Sequence, residues 1–238
     1  MFGDESFEKT TREVFECVEQ KIVNDSNNLE KKYHTHGIIW KPRILHSWTS
    51  FFNKLPLILN YFMFELPLEL QKFNEMVEKD DIFSTIIFCS DRGKFIEKLV
   101  GDILEPDFSF NHRNYYPDYV LNYHNYSDYL RPIWNGNSTV FSMNPRMVLG
   151  EFVSNVPDGV EIKCSSTIGT KGGFIYSHGP QCGLHIVFSY EKDNSNFIKI
   201  LQIWVGYIAE EDKILRNRNK ETTTIKYVFH TNKLQKLL

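Results

Sequence analysis

The chain has 238 residues, 42% of them hydrophobic and 15% aromatic, which suits one domain, with or without a helical extension, and argues against long disorder. The four cysteines (Cys17, Cys89, Cys164, Cys182) form no CxxC pair and no dense framework, so a reduced, cytoplasmic setting is expected. The net charge of −3 is uneven: from residue 161 onward eleven Lys/Arg stand against seven Asp/Glu, an asymmetry expected where one face of the C-terminal region meets a polyanion.

The first twenty residues, MFGDESFEKTTREVFECVEQ, are acidic and polar where a signal peptide has its apolar core, so no secretory leader is expected. Residues 5–23 place Phe7, Val14, Phe15, Val18 and Ile22 near helical spacing and predict an amphipathic helix. NDSNNLEKKYHTHG (24–37) breaks that pattern and predicts a loop; His34 and His36 within it read as loop histidines with no ligand role, because no Cys or second His cluster lies near. Segment 43–80 reads as helix-rich, interrupted at Pro56 and Pro67. Its most apolar window, 51–70, carries Lys54, Asn60, Glu65 and both prolines, which predicts a buried helix pair and no membrane span.

CSDRGKFIEKLVGDILEP (89–106) predicts a helix capped by Ser90 or Asp91, with Phe95, Leu99, Val100, Ile103 and Leu104 inward and Pro106 as its stop. The aromatic, alternating stretch 107–123 predicts strands with a turn between them. Residues 124–155 read as an elaborated connection. DGVEIKCSS, GLHIVFSYEK and NFIKILQIWVGYIAE predict three strands, and LRNRNKETTTIKYVF ends in an edge strand. Helices followed by strands indicate a mixed α/β or α+β domain around one central sheet. A single domain is expected, with a helical N-terminal part (1–88) and a core (89–238).

Three pieces combine into a possible chemistry: Glu97 on a helix, Pro117-Asp118 at a strand edge, and Glu161-Ile162-Lys163 on the next core strand. The stretches RGKFIEKLVGDIL, YYPDYVL and GVEIKCSS, about the middle third of the chain, resemble the PD-(D/E)xK nuclease superfamily and, within it, the type II restriction endonucleases. That resemblance implies a restriction-endonuclease-like fold, a central mixed β-sheet flanked by helices. It also implies a Mg²⁺-dependent site with Asp118, Glu161 and the Ile162 carbonyl as metal ligands. Lys163 and Glu97 join the two acids as catalytic residues.

Hydrolysing a phosphodiester needs an activated water and charge stabilisation on the phosphoryl and leaving oxygens, which a hard divalent cation on oxygen ligands supplies. Residues i and i+2 of a strand share a face, so Glu161 and Lys163 project together while Ile162 points into the core. The second acid has to converge from another strand, and Asp118 suits that place. Lys163 would orient the attacking water or hold the scissile phosphate, and its ammonium favours ionised carboxylates. Glu97 would reach the same pocket from its helix. Asp158 lies on the same strand as Glu161 and is set aside; Asp128 is a weaker substitute for Asp118. An ExK tripeptide by itself also fits a solvated strand face with an ion pair. Against that, Val160 and Ile162 embed this strand in apolar neighbours.

After the site, STIGTKGGFIYSHGPQCGLH is rich in glycine, with Lys171, Ser177, His178 and Gln181 as donors for phosphates and base edges. A flexible hairpin loop is the plain alternative. RNRNKETTT, with Arg216, Arg218 and Lys220, is a second candidate for DNA contact, or else a solvated connection. Lys41, Arg43 and His46, interleaved with Trp40 and Trp48, form a weaker third patch. The expected protein is thus a homodimeric, Mg²⁺-dependent restriction endonuclease acting on a short sequence in double-stranded DNA. A structure-specific or repair nuclease of the same superfamily and a non-catalytic DNA-binding protein of the same fold are the alternatives.

Overall fold

A computed structural model of the chain describes residues 5–33, 37–68, 92–110, 118–121, 159–165, 173–176, 183–192, 198–212, 214–216 and 226–238. Three helices open the order: α1 (Glu5–Tyr33), α2 (Gly37–Asn60), which passes into a π-helical turn at Tyr61–Glu65, and α3 (Arg92–Leu104). The strands follow as β1 (Phe108–Phe110), β2 (Tyr119–Leu121), β3 (Gly159–Ser165), β4 (Gly173–Tyr176), β5 (Gly183–Lys192), β6 (Ile198–Ile208), β7 (Ile214–Arg216), β8 (Lys226–His230) and β9 (Gln235–Lys236).

Six strands form a mixed sheet in the order β1-β2-β3-β5-β6-β9, and β4-β8-β7 form a second, three-stranded sheet. Every pair is antiparallel except β3 with β5. Parallel neighbours need a crossover between them, and here the crossover carries β4 into the other sheet. The architecture is α+β, with helices against a mixed sheet.

Alternation along the strands sorts the core into two faces. Val160 and Ile162, then Leu184, Ile186 and Phe188, then Ile203, Val205 and Tyr207 share one face. They pack with Val14, Val18 and Ile22 of α1, Trp48, Phe51 and Ile58 of α2, and Ile96, Val100 and Leu104 of α3. Each such large apolar side chain contributes roughly 1.5–3 kcal/mol on burial. Val187, Trp204 and Ile208 turn to the opposite face, where Phe229 of β8 and Leu234 cover them. Glu161, Lys163 and His185 belong to that second face by the same alternation.

Several expectations need correction. Residues 24–33 continue α1 instead of forming a loop. Asp25 and Ser26 are buried there, and the Tyr207 hydroxyl on β6 donates to Asp25 Oδ2 at 2.6 Å. Tertiary packing overrides the weak helix preference of Asn, Asp and Ser. Pro56 lies inside α2 without ending it, and the local departure from α geometry comes later, at Tyr61–Glu65. Trp48 is no surface residue: it is fully buried, stacks on Phe15 and donates its indole N–H to the Phe15 carbonyl. Phe174, Ile175 and Tyr176 form β4 instead of part of a loop, and β8 is the central strand of the second sheet and not an edge. Two sheets therefore replace the single one expected.

His34, His36, Ser90, Asp91, Asp128, Asp158 and the connection 124–155 lie outside the described residues. Among the described residues, no helix is long and apolar enough to cross a membrane, and Cys17 and Cys164 are free thiols.

Candidate active site

The site is built where the ladder between β2 and β3 ends. Tyr119 pairs with Val160 and Val120 with Gly159, so one step further Asp118 comes opposite Glu161. Side chains take over the ladder at that step. The Asp118 N–H donates to Glu161 Oε2 at 3.0 Å, and the Ile162 N–H donates to Asp118 Oδ2 at 2.8 Å. Each carboxylate is thus pinned by the backbone of the other's strand. Lys163, two residues along on the same face, donates to Glu161 Oε1.

Burial sets the electrostatics. The Glu161 side chain is 2% exposed and that of Lys163 28%, so the pair does not lie on a solvated strand face. Desolvation, followed by the charge of Asp118, pushes Glu161 up to about 7 despite the pull of Lys163 and the Asp118 N–H. Burial likewise raises Asp118 above the usual carboxylate range, against the opposing effects of Lys163, the Ile162 N–H and Glu161. Burial works against the Lys163 ammonium, but Glu161, Asp118 and then Glu97 outweigh it and leave its pKa raised. Two acids compete here for one cationic group, a recurring arrangement at functional sites.

Glu97 stands one layer back. Its charge acts on Lys163 and on Tyr119, and its backbone carbonyl accepts the Tyr119 hydroxyl at 3.4 Å. Burial and then the Glu97 charge push that phenol up to about 12. The Tyr119 ring crosses α3 at Gly101, where an added Cβ would lie 1.8 Å from the Tyr119 hydroxyl oxygen. Gly101 therefore lets β2 approach α3, and Asp118 is the residue next to the one so anchored. Sequence reasoning missed both Gly101 and Tyr119. A glycine inside an otherwise strong helical pattern was the available signal, because it costs about 1 kcal/mol relative to alanine unless close approach requires it.

His185 was missed as well. It pairs in register with Glu161 across the parallel β3/β5 ladder and is fully buried. Its Nδ1 lies 2.8 Å from the Gly183 carbonyl, and its ring meets Phe229 edge-on at 5.4 Å. A lone histidine within GLHIVFSYEK was the only mark it left in the sequence.

Of the predicted residues, Asp118, Glu161 and Lys163 come together directly. The Ile162 side chain packs in the helix-facing core, as alternation requires. Its N–H points toward Asp118, and its carbonyl emerges on the same side of the strand. Glu97 is close enough for its charge to be felt. Arg216 ends β7, while Lys171, Ser177, His178, Gln181, Arg218 and Lys220 lie outside the described residues.

Among the described residues, no group of three or more His, Cys, Asp and Glu side chains gathers around one point to hold a metal. What is present, two carboxylates and a carbonyl, is an all-oxygen donor set. It fits Mg²⁺, which binds through one or two carboxylates and keeps several waters. No protein-family model, curated protein or solved structure matches the chain.

Proposed function

We propose that this chain is a Mg²⁺-dependent endonuclease of restriction type that hydrolyses double-stranded DNA at a short sequence, on a restriction-endonuclease-like fold. The observation that supports this reading is the cross-pinned pair: half-buried Asp118 and buried Glu161 lie side by side on adjacent strands, with Lys163 beside them. A buried and a half-buried acid with one lysine between them form a seat of excess negative charge, and a divalent cation is the partner that relieves it.

Asp118, Glu161 and the Ile162 carbonyl would hold the cation, which supplies charge to the phosphoryl oxygens and the leaving 3′ oxygen when bound. Lys163 orients the attacking water, or the scissile phosphate, once its ammonium turns from Glu161. Glu97 keeps Lys163 charged from behind. Hydrolysis leaves 5′-phosphate and 3′-hydroxyl ends.

Arg216 ends β7, which with β4 and β8 forms the second sheet, and that sheet packs on the face that carries Glu161 and Lys163. The other proposed DNA contacts are near in sequence: Lys171, Ser177 and His178 neighbour β4, Gln181 precedes β5, and Arg218 and Lys220 follow β7. A homodimer matches two-fold DNA sites with two active sites, one for each strand.

The test is incubation of purified protein with plasmid and phage DNA in Mg²⁺ or EDTA, beside the Lys163→Ala variant. Discrete fragments that need Mg²⁺ and vanish in the variant support the proposal. Cutting confined to junctions or lesions transfers the site to a repair nuclease. An absence of metal-dependent cleavage across many substrates sinks the enzyme reading.

A further inference from the structure

The second face of the main sheet is apolar at Val187, Trp204 and Ile208, under Phe229 and Leu234. One row across it is different. Asp118 lies opposite Glu161, Glu161 pairs with His185, and His185 pairs with Gly206. Neighbouring strands are about 4.8 Å apart, so the Glu161 side chain rises between Asp118 on one flank and His185 on the other. Both Glu161 and His185 are buried, and the register sets the imidazole beside Glu161 on the same face.

That imidazole is fixed. Its Nδ1–H donates to the Gly183 carbonyl, two residues back on the same strand, which sets ring orientation and tautomer. Phe229 of β8 closes on it edge-on. A ring nitrogen tied to a backbone carbonyl is how proteins hold a histidine that has to keep one orientation beside a charged centre.

We propose that His185 is a positioning residue of the acid row: clamped between the Gly183 carbonyl and Phe229, it keeps the Glu161 carboxylate turned toward Asp118 and Lys163. It acts through Glu161 and touches neither DNA nor cation. Because Phe229 belongs to the second sheet, the set of that sheet on the main one is felt at Glu161. The inference deepens the nuclease reading and rests on it for its purpose, but its geometric content can be tested separately.

The experiment uses the full chain labelled with ¹⁵N-lysine. The Lys163 ammonium resonance, assigned by its loss in Lys163→Arg, reports whether Glu161 still faces Lys163 and needs neither metal nor DNA. Mn²⁺ affinity, read from the free-ion electron paramagnetic resonance signal, is the second measurement. His185→Phe fills the space without a donor and should abolish the Lys163 resonance and weaken Mn²⁺ binding about tenfold or more. His185→Asn, whose amide can still donate to Gly183, should keep the resonance and lose less than about threefold in affinity.

Ile208→Ala, a buried change on the same face but off the row, controls for stability alone. A folded His185→Phe protein, no less stable than that control, with resonance and affinity unchanged would show that His185 only fills the core. Should the Phe variant not fold, His185→Met, flexible and without a donor for the Gly183 carbonyl, decides by the same resonance. Wild-type protein that binds no Mn²⁺ overturns the cation seat, and the Lys163 resonance then decides the role of His185 alone.

Discussion

Among the described residues, two carboxylate clusters share their parts and differ in their balance. Just past the C-terminal end of β6, Asp212 is 4% exposed and lies 2.5 Å from Lys21 Nζ and 3.3 Å from Lys233 Nζ. It also accepts the Ala209 N–H at 3.0 Å. Burial alone would raise its pKa, but the Lys21 hydrogen bond, the Ala209 N–H and Lys233 outweigh that and leave it lowered. In the acid row the ratio is reversed. Two carboxylates meet one lysine, and both stay raised. A buried acid with two cations is a closed structural clasp, here tying α1 to the C-terminal segment. A pair of acids with one cation carries uncompensated charge, and the proposed cation seat rests on that difference.

The sharpest way to break this comparison is to neutralise one carboxylate in each cluster without changing its shape. Asp118→Asn should lower the single-turnover cleavage rate by about 10³-fold or more, the scale on which a lost electrostatic contact to the transition state is felt. Asp212→Asn should leave that rate at the wild-type value. Equal losses in the two variants would mean that the balance of charges does not distinguish function from structure here.

Stability should show the opposite ranking. Asp212→Asn removes a carboxylate bonded by two ammonium groups and a backbone N–H, and should cost about 1.5–3 kcal/mol near neutral pH, read from urea unfolding. The sign with pH follows from the lowered pKa. The contribution is present in full above the ordinary carboxylate range and is lost as the pH falls through the folded value. Wild type and variant should therefore converge in acid. A constant gap at all pH values would assign the loss to packing instead of charge.

Much of this fold was legible because local and global preferences agree. The strands at GVEIKCS, GLHIVFSYEK and IKILQIWVGYI were marked by β-branched and aromatic runs, and the helix RGKFIEKLVGDIL by its apolar spacing. What stayed hidden depends on partners distant in sequence. Residues 24–33 are helical in the company of Tyr207, and Trp48 is buried in the company of Phe15. The short strands β4, β7 and β9 are defined by the strands they pair with, which no pattern of two to four residues can announce. The acid pair was legible for a similar reason in reverse: Asp118 and Glu161 were found through residue type and a resemblance, whereas His185 and Gly101 act through register and close approach. Neither of those is written in a residue's own chemistry.

The smallest effect sharpens the comparison furthest, because it reads the charge balance itself. With Glu161 pushed up to about 7 by burial, the row holds a proton below that pH that a divalent cation must expel before binding. The proton belongs to the pair as a unit, since Asp118 and Glu161 are bonded to each other's strands. Mn²⁺ affinity should accordingly be level above about pH 7 and fall about tenfold for each pH unit below it. Asp212→Asn should follow the same curve, whereas Glu161→Gln should flatten it along with most of the affinity. A midpoint near the ordinary glutamate value of about 4.3 would place Glu161 in water, return Glu161-Ile162-Lys163 to an exposed strand face, and remove the reason for a cation to prefer this site.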